Sequence, residues 1–243
     1  MRGWMGAALG CLALGAAPPA FAQDFGRIAS EALHQRLPGD SQNLSKRDLV
    51  AGLKEALTTG TKAASRRIGV RDGYYGDAGI RVPLPGVLAD AQKRLKPFGM
   101  SGPLDDLHLR MNRAAEATAP TAQKLVLEAI RTMTVEDALG LLRGADMSAT
   151  EFLRRKTEVN LAAAFRPYVE AALADAGALV ALDTAVAKYG AGLVQKDAKG
   201  WLTDHAVAGA LNGLFYYVAL EEQAIRRDPA SRTSDLLKRV FGG

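Results

Sequence analysis

The sequence predicts an all-α protein: a single multi-helix domain of about eight to ten helices, with one extended proline-containing loop and little or no sheet. Three observations lead there. Apolar residues recur three and four positions apart through most of the chain, and no run alternates apolar and polar residues with β-branched enrichment. Ser or Thr stands three residues ahead of Asp at two places, Ser45/Asp48 and Thr134/Asp137, each at the start of such a stripe, which is the pairing that satisfies the free amides of a helix start. At 48% apolar and only 6% aromatic, the 243 residues suit a core of Ala, Leu and Val on closely approaching helices.

Taken in order, residues 24–37 could form a short helix that Pro38-Gly39 ends, and a polar linker follows to residue 44. The domain itself runs from residue 45 to 243. Residues 45–68 carry the stripe Leu49, Val50, Leu53, Ala56, Leu57, Gly60 and Ala64, with Gly69 placed to stop the helix. Residues 69–85 are the least regular stretch, and Pro83 and Pro85 force the chain there to be extended. Helices are then expected at 86–96, 103–118, 120–133 and 134–143. A longer one at 148–176 contains Pro167, which should kink or divide it. Another helix is expected at 178–189, followed by a Gly-, Lys- and Asp-rich loop to 200. The main C-terminal helix spans 202–227, and a short final one 231–241, capped by Thr233 or Ser234.

The first 22 residues read as a secretory leader rather than as part of the fold. Arg2 precedes an apolar run at 7–17, Pro18 and Pro19 break it, and Ala20-Phe21-Ala22 offers small residues at the two positions a signal peptidase reads. The run is shorter than the roughly 20 residues that cross a bilayer. Cleavage after Ala22, a periplasmic location and no transmembrane segment in the mature chain are therefore expected. Cys11 is the one cysteine and lies inside the leader, too early for a lipoprotein signal. The mature chain would have neither disulfide nor thiol chemistry. Losing the leader lowers the net charge by one from +5. The basic residues come in small groups such as Arg66-Arg67, Lys93-Arg94 and Arg154-Arg155-Lys156, with acids between them. Such groups suit solvated helix faces or anionic lipid headgroups. No long basic stripe with interleaved aromatics supports nucleic-acid binding.

Catalytic and cofactor signatures are absent from the sequence. His34, His108 and His205 sit on separate segments without metal-ligand spacing, and no nucleophile elbow, phosphate loop or dinucleotide fingerprint appears. No cofactor and no metal are expected. Two constellations could still form a site. On the 103–118 helix, Asn112, Arg113 and Glu116 flank the core stripe of Leu104, Leu107, Met111, Ala114 and Ala115, either as a surface ion pair or as the polar edge of a cavity. On the C-terminal helix, Glu222 falls on the apolar face between Val218 and Ile225, where a carboxylate needs a partner. Arg226 is the local one, and Arg113 or Arg232 could be distant ones. Tyr74 and Tyr75 in the irregular loop are either core packing or a lid.

Several runs resemble a family of exported bacterial proteins known only as domain-of-unknown-function family 4197. They are Gly52 to Leu57, Val82-Pro83-Leu84-Pro85, Met111 to Glu116, Phe165-Arg166-Pro167, Gly213-Leu214-Phe215, Glu221-Glu222 with Ile225-Arg226, and Pro229 to Gly242. Asn212 departs from the Asp expected before Gly213. The resemblance implies export, one helical domain and a periplasmic address, and it brings no catalytic residues. The reading that follows is a periplasmic binding or interaction protein with an inter-helix groove for an apolar ligand, an anionic amphiphile or a partner helix. The partner expected is an envelope protein or a lipid, not a nucleic acid. An unrecognised enzyme, such as a hydrolase using Glu222 and Arg113, and a structural envelope protein are the alternatives.

Overall fold

Ser45 opens the fold. Its hydroxyl accepts from the Asp48 amide, while the Asp48 carboxylate accepts from the Ser45 amide, so both free donors of the first turn are satisfied reciprocally. Helix α1 then runs Lys46–Ile68 and buries Leu53, Ala56, Leu57, Ala64 and Ile68. Gly69 ends it with φ −85°, so its left-handed freedom is not used. Space decides the residue instead: a Cβ there would lie 2.9 Å from the Ala119 Cβ.

The computed structural model describes residues 45–174 and 198–241. The leader, the 24–37 helix, the linker and the 178–189 helix expected from sequence lie outside these residues. After α1 comes a turn-rich segment to residue 80 and an extended one through Pro85. Helices α2 (Gly86–Leu95), α3 (Gly102–Ala117), α4 (Ala119–Thr132), α5 (Val135–Leu142), α6 (Ser148–Leu173), α7 (Ala198–Arg227) and α8 (Asp235–Phe241) follow, with short 3-10 turns at Lys96–Phe98 and Pro229–Ser231. The described residues thus hold eight α-helices and no strand, at the low end of the expected eight to ten. Among them, no helix is long and apolar enough to cross a membrane.

Helix α7 packs against α1, α3 and α6. Helix α6 also meets α3 and α4, and α1 carries α4, α5 and α8 on its remaining sides. The main core holds Leu53, Leu107, Met111, Leu153, Phe165 and Leu214, and a small second cluster of Ala56, Ile225 and Leu237 lies where α1, α7 and α8 meet. Thr134 and Asp137 form the second reciprocal cap, at the start of α5.

Two elements differ from the sequence expectation. Of the kink or division expected at Pro167, the division does not occur, and helix α6 continues through it to Leu173. The carbonyl that this proline leaves without a donor belongs to Ala163, and both residues are exposed, so water can serve it. Helix α7 begins at Ala198 rather than at residue 202, taking Gly200 into its first turn. Trp201 and Leu202 pack on the core at that end of the helix and offset the weak local propensity of the turn.

Candidate functional site

Helix α3 turns Asn112 and Glu116, four residues apart, toward the irregular segment that follows α1. The sequence places both at the edge of the core stripe, but Asn112 is fully buried and Glu116 nearly so. The reason is the extended segment itself. Val82 lies beside two prolines and in no sheet, so its buried amide and carbonyl need partners from elsewhere. Asn112 supplies both. Its Oδ1 accepts from the Val82 amide at 2.8 Å, and its Nδ2 donates to the Val82 carbonyl at 2.9 Å and to the His108 carbonyl at 2.8 Å.

Glu116 does the same for the turn. Its Oε1 accepts from the amides of Tyr74 (3.1 Å) and Tyr75 (3.2 Å). Its Oε2 accepts from Arg113 Nη1 at 2.7 Å, and Arg113 Nη2 reaches Asp72 Oδ1 at 2.7 Å. Asp72 has φ 65°, a left-handed conformation that Asp tolerates better than most residues and that this ion pair helps to hold. Tyr74 is completely buried, and its hydroxyl donates to the Ala210 carbonyl at 2.6 Å. Burial pushes its phenol well above the ordinary value. Tyr75 is half-buried and stacks edge-on against His108 at 5.5 Å. Burial in turn holds the His108 imidazole below its ordinary value. Asn112, Arg113, Glu116, Tyr74 and Tyr75 therefore come together as a clamp on residues 72–82.

Glu222 and Arg226 form a separate group that shares no hydrogen-bonding residue with the first. Helix α6 starts after Met147, which has φ 67° and no side chain able to cap. Glu222 of α7 fills that role from across the interface. Its carboxylate accepts from the amides of Ala149 (3.1 Å) and Thr150 (2.7 Å) and from the Thr150 hydroxyl (2.7 Å). A carboxylate at a helix N-terminus is favoured by the free amides and by the helix dipole. Arg226 Nε donates to Glu222 Oε1 at 2.9 Å, and its Nη2 reaches the Leu141 carbonyl near the end of α5 at 2.9 Å. The pair ties the end of α5 to the start of α6. Arg113 and Arg232, the distant partners considered for Glu222, are engaged elsewhere: Arg232 donates to the carbonyls of Ile225 and Arg226.

A small pocket lies beside this pair, where α1, α7 and α8 meet. Leu53, Leu57, Thr61, Val218, Glu222 and Arg226 are among its walls, and it has room for about one water molecule. The Thr61 hydroxyl is buried there without a protein partner, which suits a single bridging water.

Two features escape a reading of the sequence alone. Gly209 and Gly213 are one turn apart on α7 and form the floor on which the irregular segment lies. A Cβ on Gly213 would sit 2.4 Å from Tyr74 Cε1, and one on Gly209 would sit 2.6 Å from Val82 Cγ1. The spacing of two glycines in a long helix is the available signal. The other feature is a polar trio: the Tyr217 hydroxyl donates to Asp77, Arg67 Nη2 lies 3.5 Å from Asp77 Oδ2, and the Arg67 guanidinium covers the Tyr217 ring at 4.4 Å. Burial pushes the Asp77 carboxyl up, but hydrogen bonds from Tyr217 and the Gly79 amide, with the Arg67 charge, outweigh it and hold the group below its usual range. Burial and the Asp77 bond push the Tyr217 phenol up to about 12. Nothing in the spacing of residues 67, 77 and 217 announces this contact.

The family profile described as protein of unknown function, DUF4197, matches residues 43–242. This chain belongs to the DUF4197 family. The match spans α1 to α8, so both clamps lie within the DUF4197 domain. No curated protein and no solved structure matches the chain.

Proposed function

We propose that this DUF4197 chain is an exported interaction protein, a helical scaffold that engages other envelope components through its outer surface. Residues 1–22 act as its leader in this reading. The observation that carries it is the state of the candidate polar groups. Glu116 and Glu222 accept from backbone amides, and Asn112 serves both polar groups of Val82. Arg113 and Arg226 are bonded to the two carboxylates. Such groups stabilise a fold and are not poised to move protons or hold a substrate. The pocket beside Glu222 is too small for an organic ligand, which ordinarily needs a few hundred Å³.

Native mass spectrometry of the mature chain, purified gently from cell envelopes, tests the proposal. The expected result is a protein mass with no retained small molecule. A stoichiometric organic adduct would overturn it, if that adduct disappears when Thr61→Leu fills the pocket.

A further inference from the structure

Helix α2 ends in a tip unlike the rest of the surface. Lys96, Pro97 and Phe98 form one 3-10 turn, and Gly99 reverses the chain at φ 68°. The Gly99 amide donates to the Lys96 carbonyl at 3.1 Å and the Met100 amide to the Leu95 carbonyl at 3.2 Å. This is the paired closure that satisfies the last carbonyls of a helix. That closure commonly brings an apolar residue at the Met100 position back onto the helix. Here Met100 remains 57% exposed, and Phe98 beside it is 76% exposed, among the largest exposures of any large apolar side chain described.

The charges around the tip are mainly positive. Lys93, Arg94 and Lys96 are all exposed, and Asp90 is the one acid in residues 86–104. The next carboxylates are already engaged: Asp105 accepts from Gln92 and Ser101, and Asp106 is paired with Arg110 at 2.6 Å. Two apolar side chains thus lie exposed on a turn whose Gly99 and Met100 amides are bonded, with three exposed cations within five residues of Phe98.

We propose that residues 93–100 form a membrane-docking tip, with Phe98 and Met100 entering the headgroup region of an anionic lipid bilayer while Lys93, Arg94 and Lys96 contact its phosphates. Each part matches what that surface demands. A turn entering the interface must bring its amides already bonded, since hydrocarbon offers them no partner. Apolar insertion or a basic patch alone holds a protein weakly, whereas the two together hold it well. Long basic side chains can keep their charges at phosphate level while their stems lie along the apolar layer. The proposal rests on the reading above that the outer surface is the working part, and it names the partner of one region of it.

Co-flotation of the full chain with vesicles tests it, using phosphatidylcholine alone and phosphatidylcholine mixed with phosphatidylglycerol. Wild-type protein should float with the anionic vesicles and much less with the neutral ones, and added salt should weaken binding. The double variant F98S/M100S should lose about tenfold or more in partition. The triple variant K93E/R94E/K96E should lose at least a hundredfold, from about fivefold for each cation removed. All these side chains are exposed, so the helical circular-dichroism spectrum should be retained in every variant, and the melting temperature of F98S/M100S should not move. Residues 1–44 are common to wild type and variants, so any difference belongs to the tip. In an F98W variant, the added tryptophan emission should shift to the blue on anionic vesicles. Equal flotation of wild type and F98S/M100S would overturn the proposal. So would a tip needed for cross-linking to an envelope protein but not for vesicle binding, which would leave the surface reading standing. An adduct in the Thr61 pocket would remove the surface reading without touching the flotation result.

Discussion

Glu221 and Glu222 are neighbours in sequence with opposite roles. Glu222 is matched by two amides, a hydroxyl and a guanidinium. Removing it leaves the partly buried Arg226 without a carboxylate and the first amides of α6 without a cap, and Glu222→Ala should cost about 3 kcal/mol in urea unfolding. Glu221 points instead over Gly60, where a Cβ would be 2.9 Å from the Glu221 Cβ. Burial there raises its carboxyl above the ordinary 4.5, against the opposing pull of Arg67 and Arg66. The sign of its pH effect follows. A carboxyl whose folded value is raised favours the folded state while protonated and loses that advantage as pH climbs through the folded value. Glu221→Gln should therefore unfold at higher urea than wild type at neutral pH, and the gain should vanish below about pH 4. A gain independent of pH would show that packing, not ionisation, is responsible.

At the level of elements, glycine separates two situations that look alike in sequence. Gly140 lies inside α5 in open space, with nothing within 4 Å of where a Cβ would stand, whereas Gly213 lies inside α7 against the Tyr74 ring. Gly140→Ala should stabilise by about 0.5–1 kcal/mol through helix propensity. Gly213→Ala should destabilise by about 1–3 kcal/mol through overpacking. Thermal melts of the two variants, shifting in opposite directions, check this. The same contrast shows how far the sequence can be read. Helix starts at Ser45 and Thr134 are legible because a cap is a local matter of two residues three apart. The start of α6 at residue 148 is legible too, but its cap is not, because that comes from Glu222, 73 positions away from Ala149. The extended segment follows from Pro83 and Pro85, but its seat on Gly209 and Gly213 does not. Asn112 and Glu116 stand out in the sequence as polar residues beside an apolar stripe. Their direction, inward onto backbone amides, depends on where the 72–82 segment lies, which no periodicity encodes.

For the whole molecule, the consequence is that a loop is held as firmly as the helices. Residues 69–85 contain no helix or strand, yet the amides of Tyr74, Tyr75 and Val82 are each bonded to a buried side chain of α3. Hydrogen exchange at these three amides should be as slow as in the centre of α7. Asn112→Ala should release Val82 first, since it removes both of that residue's partners. Fast exchange in the wild type would mean the segment opens independently of the bundle.

The borrowed cap on α6 also bears on how the chain is made. Residue 222 follows residues 149 and 150 by more than seventy positions, so until α7 packs on α6 the first turn of α6 has only water for its free amides. A product terminated ahead of α7 would lack the carboxylate that closes that turn. Such fragments should be recognisable to proteases by a frayed start of α6 as well as by the core that α7 leaves uncovered.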